Sequence, residues 1–133
     1  WHTYREEDEE SLAVRIEAMV RSDIDYTHAI FNFHCPPYAS GLDDAPHLDK
    51  NLNVKDAGQV LVPAGSTAVR DCILKFQPIL SLHGHIHEAK GIARLGKTLS
   101  INPGSTYEQG LLQGVIVELD RKKGIRSYTM TSG

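Results

Sequence analysis

Apolar positions recur in this chain first at helical spacing, then in short continuous runs, then in alternation, and each change of period marks a change of element. Leu12, Ile16, Met19 and Val20 follow helical spacing and predict one buried helical face. Thr3 and Glu6 stand at capping-box spacing, and the acidic run Glu6 to Glu10 suits the positive end of that helix as a solvated first turn. The run Thr27 to Phe33 (THAIFNF) is short, apolar and aromatic, as in a buried strand. It stops at HCPPY, where paired prolines remove two backbone donors.

From Ala39 to about Pro63 the chain is polar and carries Asp and Gly, which predicts a long loop with one short strand, QVLV, near its end. GSTAVRDCILKF predicts a helix with Ser66 or Thr67 as its N-cap, an apolar face of Val69, Ile73 and Leu74, and Phe76 near its end. Pro78 ends it, and ILSLH follows as a second buried strand. Strand, loop, helix and strand in that order predict parallel strands in an α/β layer. Beyond residue 90, GIARLG, KTLSIN, LLQGVIVELD and GIRSYTM read as strands joined by turns at Gly96-Lys97 and Arg121 to Gly124, so this third is expected to be antiparallel.

The 133 residues suffice for one domain with a core, and 41% hydrophobic with 23% charged residues indicates a globular chain. A net charge of -3 without a basic patch argues against a dedicated nucleic-acid module. No apolar run reaches membrane-spanning length and no signal peptide is visible. Cys35 and Cys72, the two cysteines, form neither a disulfide framework nor a zinc ribbon, so a reduced, cytoplasmic protein is expected. The abrupt acidic start suggests part of a longer polypeptide.

Candidate chemistry concentrates on histidine. His34 follows the first predicted strand, and His83, His85 and His87 fall at every second position after the other. Ligands of open α/β sheets bind beyond the carboxyl ends of the strands, so neighbouring strands would bring these histidines to one edge. Neutral imidazole suits zinc, manganese and iron, and Gly84 permits a sharp exit from the strand. Strand-like alternation would let His85 and His87 point to one side. Three imidazoles and an open position would suffice for a mononuclear zinc centre. His83 is the weakest candidate, because it can still lie inside the strand. His2, His28 and His47 read as ordinary polar residues. Cys35 should face away from His34 as a buried thiol, and Cys72 reads as helix core. Asp43, Asp44, Asp49, Asp56 and Glu88 are the available carboxylates. None of them ends a predicted strand; Glu88 is best placed to support a ligand histidine through a hydrogen bond.

The segments NFHCPPY, LHGHIHEAKG and TLSINPGS, in this order, resemble the C-terminal half of the calcineurin-like metallophosphoesterase superfamily. The run beginning GHIHE is similar to the branch of small phosphoesterases that includes cyclic-nucleotide phosphodiesterase-like proteins. The resemblance covers roughly residues 27 to 120. That family carries its metal ligands on successive blocks, of which the last two, a lone His after a strand and Gly-His-x-His, match at His34 and at Gly84 to His87. The resemblance implies that His34 and His85 bind one metal and His87 the other, with two divalent ions such as Mn, Fe or Zn. It also implies a two-sheet β-sandwich flanked by helices, of which residues 1 to 133 are the C-terminal part. The implied reaction is attack of metal-activated hydroxide on a phosphomonoester or phosphodiester, a nucleotide being favoured.

The earlier blocks, Asp-x-His, Gly-Asp and Gly-Asn-His, do not occur in this chain. The catalytic groups and bridging carboxylate are therefore expected upstream, and the chain alone is expected to be inactive. His83, Glu88, Asn102 and Ser66 are expected beside the ligands or on the substrate side. Asn102-Pro103-Gly104 reads as a turn, and Ser66 and Thr67 could offer backbone N–H groups to phosphate, although capping is the ordinary role. Two rival readings are a non-catalytic scaffold of the same fold and a mononuclear zinc hydrolase using His34, His85 and His87.

Overall fold

A computed structural model of the chain describes residues 7–49, 51, 53–58 and 60–133. The Thr3–Glu6 capping box lies outside the described residues. Helix α1 spans Glu9–Met19, and Asp8 caps it by accepting the Ser11 N–H at 2.8 Å. Of the predicted face, Ile16 is buried and Leu12 packs beside it, whereas Met19 is 83% exposed at the last turn. Helix α2, Thr67–Phe76, takes Ser66, the first of the two predicted caps, with the Ser66 hydroxyl accepting the Val69 N–H at 3.1 Å. Val69, Cys72, Ile73 and Phe76, spaced three and four residues apart, form its inner face. Leu74 lies one helical step from Ile73 and is left exposed, contrary to its predicted place in the core.

The main sheet contains β1 (Ile30–Asn32), β4 (Leu80–Leu82), β6 (Thr98–Asn102) and β5 (Gly91–Leu95), side by side in that order. Two further three-residue strands, β2 (Asp44–Pro46) and β3 (Leu61–Pro63), pair antiparallel within the long polar stretch; β3 answers to the predicted QVLV strand and β2 was not foreseen. The final hairpin joins β7 (Gln113–Asp120) to β8 (Gly124–Ser132). β1 and β4 run parallel, Ile30 opposite Leu80, as the strand–helix–strand order predicts. β5 and β6 form the expected antiparallel hairpin, but β6 also pairs parallel with β4. Every residue of β6 is buried, the pattern of a central strand covered on both faces.

Alternation sorts the two faces of the sheet. Leu80, Leu99 and Ile101 point to the side covered by the β7–β8 hairpin, where Val115, Val117, Ile125 and Met130 pack on them. The other side receives the helices through Ile16, Val69, Cys72 and Ile73, joined by Leu95, Phe31 and Phe33. The result is a mixed α/β architecture of helices, central sheet and antiparallel hairpin. Among the described residues no helix is long and apolar enough to cross a membrane.

Two junctions fix the loops near the carboxyl ends of the strands. Gly65 lies against the two prolines, where an added Cβ would meet the Pro36 carbonyl oxygen at 2.6 Å. That closeness lets Ser66 N–H donate to Pro36 O and Tyr38 N–H donate to Ser66 O, each at 2.9 Å. Asp43 is fully buried, and its carboxylate accepts the backbone N–H groups of Ala39, Ser40 and Gly65. It ties the polar stretch to the start of α2.

Candidate functional site

His34 stands two residues beyond β1 and His85 three beyond β4. The parallel pairing continues past the strands, with Phe33 N–H donating to Leu82 O and Gly84 N–H donating to His34 O, both at 3.0 Å. This holds the two chain segments side by side. His34 Nε2 and His85 Nδ1 lie 3.1 Å apart, and their rings meet edge to face at 4.9 Å between centroids. Two metal–nitrogen bonds of about 2.1 Å meeting at a tetrahedral or right angle separate their nitrogens by about 3.0–3.4 Å. The two ring nitrogens therefore sit at the spacing of two ligands on one ion.

The backbone at His85 is strained. Its φ is 67°, a left-handed value uncommon outside glycine, and Ile86 N–H donates to Gly84 O at 2.8 Å around it. Such conformations persist where surrounding structure enforces them and concentrate at functional positions. The strain also breaks the alternation on which the histidine pattern was read. His85 lines a cavity of about 580 Å³ together with His34, Cys35, Ser66, Glu7 and Glu9. His87 lines a different cavity and packs edge-on to Tyr107 at 5.4 Å. His85 and His87 thus face separate spaces, because no strand geometry continues beyond Leu82.

His83 is buried and fully engaged. Its Nδ1 lies 3.0 Å from the Cys35 carbonyl, which can only accept, so the hydrogen-bond network assigns the proton to Nδ1. Nε2 then accepts from the Ser81 hydroxyl at 2.8 Å, and Ser100 in turn donates to Ser81 at 2.6 Å. Burial pushes this imidazole down to about 4, against the opposing effect of the Cys35 hydrogen bond. Neutral and doubly bonded, His83 braces the turn that carries His34 and offers no lone pair outward. Cys35 is half-buried, and burial raises its thiol. It lines the same cavity as His34 rather than facing wholly away.

Asn102 is a clamp. Fully buried, it donates to Leu42 O at 3.1 Å and Ile86 O at 2.9 Å, and accepts the Gly104 N–H at 2.9 Å. One side chain thereby fixes the Asn102–Gly104 turn, the polar stretch and the histidine loop. Glu88 lines the cavity of His87 and not that of His34. The Asp49 carboxylate folds back on Asn51 and Asn53 N–H groups, which hold it below the usual carboxylate range. Asp43 is spent on backbone amides as described above.

The acidic run contributes something that its sequence does not announce. Glu9 reaches across to α2, where its Oε2 accepts from Ser66 Oγ at 3.0 Å, Thr67 Oγ1 at 2.8 Å and Ala68 N at 2.8 Å. Burial raises its pKa, but these hydrogen bonds outweigh that and hold it below the ordinary glutamate value. The α2 N-terminus considered for phosphate is thus filled by a carboxylate of the chain itself. Glu7, on the same cavity, is ion-paired with Arg15. Among the described residues no group of three or more His, Cys, Asp or Glu is placed to hold a metal ion.

Fold and site together define a mixed α/β chain with a histidine pair beyond the carboxyl ends of two parallel strands. No family model and no curated protein matches the chain. A solved crystal structure that bears no functional name matches it with a TM-score of 0.50 at 17% identity. The match covers 98% of this chain and 44% of the other, so the chain spans less than half of that structure's length. The likeness concerns the fold.

Proposed function

We propose that this chain supplies the histidine half of a metal-dependent phosphoesterase site within a two-sheet metallophosphoesterase domain. The observation that carries the reading is the 3.1 Å approach of His34 Nε2 and His85 Nδ1 beyond parallel β1 and β4. Two nitrogen donors at that spacing fit one metal ion but do not complete its coordination. His34 and His85 would hold one ion of the pair, while His87, expected on the other ion, faces a separate cavity and would have to turn to reach it; the carboxylate ligands and catalytic groups would come from outside these residues. Such a metal pair supplies Lewis-acid polarisation of the phosphate ester and activation of water. The chain's own residues orient the donors: His83 braces the His34 segment, Asn102 anchors the histidine loop, and Ser66 with Glu9 sets the start of α2.

A non-catalytic scaffold is favoured by one observation, the lack of a third ligand group beside the histidine pair among the described residues. Metal analysis of the longest natural polypeptide containing this chain, paired with hydrolysis of bis(p-nitrophenyl) phosphate, separates the two. Bound divalent metal that falls with His34→Ala and with His85→Ala, together with metal-dependent turnover, is expected. Absence of both metal and turnover leaves the scaffold. Zinc bound stoichiometrically by the 133-residue chain alone would instead support the mononuclear alternative.

A further inference from the structure

We propose that the cavity beside the His34–His85 pair takes a neutral, apolar alkyl group, the alcohol side of a phosphate ester, with Met19 of α1 as a specificity-determining contact; the link to an ester rests on the function proposed above. The cavity measures about 580 Å³, within the range of small-molecule sites. Its lining joins the histidine pair to Leu12, Ile16 and Met19 of α1 and to Phe33, one residue beyond β1. This class differs from the nucleotide that the family resemblance favours.

Leu12, Ile16 and Met19 are spaced four and three residues apart and so share one face of α1. That face begins in the core, where Ile16 is buried and Leu12 packs on the cluster around it. It ends outside the core, with Met19 left 83% exposed where it lines the cavity. Exposed apolar residues are ordinary when scattered, but this one continues an apolar stripe into a cavity. Methionine, unbranched and polarisable, adapts readily to apolar partners of irregular shape.

The polar groups of the lining narrow the class, because most of them are already engaged. Glu9 is bound to Ser66, Thr67 and Ala68, and Ser66 also caps α2. Arg15, the one Lys or Arg of the lining, is ion-paired with Glu7. With two carboxylates against one guanidinium, the wall offers no counter-charge for a further phosphate group. Asn32 is the one amide of the lining, whereas a base edge or a sugar presents several donors and acceptors at once. The wall left for contact beyond the histidine pair is therefore apolar, at Leu12, Met19 and Phe33.

The test uses the full 133-residue chain, isotopically labelled at its methionine methyl groups and titrated with n-hexanol and, separately, with ribose and adenosine. The chain has two methionines, and Met130, packed under the hairpin on the opposite face of the sheet, is the internal control. Hexanol is expected to move the Met19 methyl resonance saturably while Met130 stays in place, and ribose and adenosine are expected to move neither. Met19→Ser should weaken hexanol about threefold to tenfold, read from the Leu12 and Phe33 amides, without changing Tm, since the side chain is exposed. Met19→Leu should retain the affinity. A still Met19 methyl, a joint movement of both methionines, a larger response to adenosine, or an unchanged hexanol Kd in Met19→Ser overturns the proposal. The probe carries no phosphate and needs no metal. Loss of metal and turnover in the longer polypeptide would therefore remove the phosphoesterase reading and leave this readout standing. A still Met19 beside metal-dependent turnover would remove the apolar site alone.

Discussion

At the scale of single residues, His83 and Asn102 show how polar groups hold the site in shape. His83 titrates near 6.5 when unfolded and at about 4 when folded, so between those values the unfolded chain binds the extra proton. Its contribution is complete above pH 6.5 and is lost as pH falls through the folded value. The loss should reach roughly 2 kcal/mol by pH 5. Urea unfolding at pH 7 and pH 5 checks this against His83→Gln, whose stability should fall less over the same interval. An identical fall in both proteins would contradict the assignment. Asn102→Ala leaves the Leu42 carbonyl and the Gly104 N–H without the partner Asn102 gave them, and leaves Ile86 O with only the Ala89 N–H at 3.3 Å. A cost of about 2–4 kcal/mol is expected, with faster amide exchange at Ile86 and Gly104 than a general loss of stability produces.

At the scale of elements, the start of α2 is a joint between two helices. Ser66 caps its own helix and also donates to Glu9 of α1, so one hydroxyl serves both. Ser66→Ala should cost about 1–2 kcal/mol. Glu9→Gln should cost less, because the substituted amide still presents one oxygen. The double variant should cost less than the sum of the two, since both act on a single cluster. Denaturation midpoints of the four proteins test this, and strict additivity would show that the helices are not joined there. Gln77 makes a comparable joint at the other end of α2. In a left-handed conformation, it accepts the Lys97 N–H at 2.6 Å and donates to Leu95 O at 3.2 Å, bracing the β5–β6 turn.

At the scale of the whole molecule, the central sheet couples the helices to the C-terminal hairpin. Ile101 is fully buried between sheet and hairpin, in the strand that also carries Asn102. Ile101→Ala should cost about 2–5 kcal/mol. If the sheet is the common support, near-UV circular dichroism and the His34 and His85 imidazole resonances should report the same unfolding midpoint. A hairpin that melts separately from the histidine pair would show that it is an appendage and not part of one cooperative unit.

Much of this was legible in the chain, for reasons that are local. The Ser66 cap, the Gly96-Lys97 turn, the Cys72 core position and the strands ending near His34 and His83 all follow from propensity, spacing and turn chemistry. Neighbouring parallel strands were inferable from the strand–helix–strand order, and with them the meeting of His34 and His85. The parallel pairing of β6 with β4, the unforeseen β2 strand and the outward Leu74 required the assembled layers, because each depends on which side of an element is covered. The divergence of His85 and His87 follows from a positive φ, which no alternation pattern contains. Glu9 on the α2 N-terminus joins residues 57 to 59 positions apart. The sequence by itself therefore determined the elements and the chemical types brought to the strand ends. Only the tertiary structure decided which donors converge, because convergence is set by long-range packing and backbone strain, neither of which is written in local spacing.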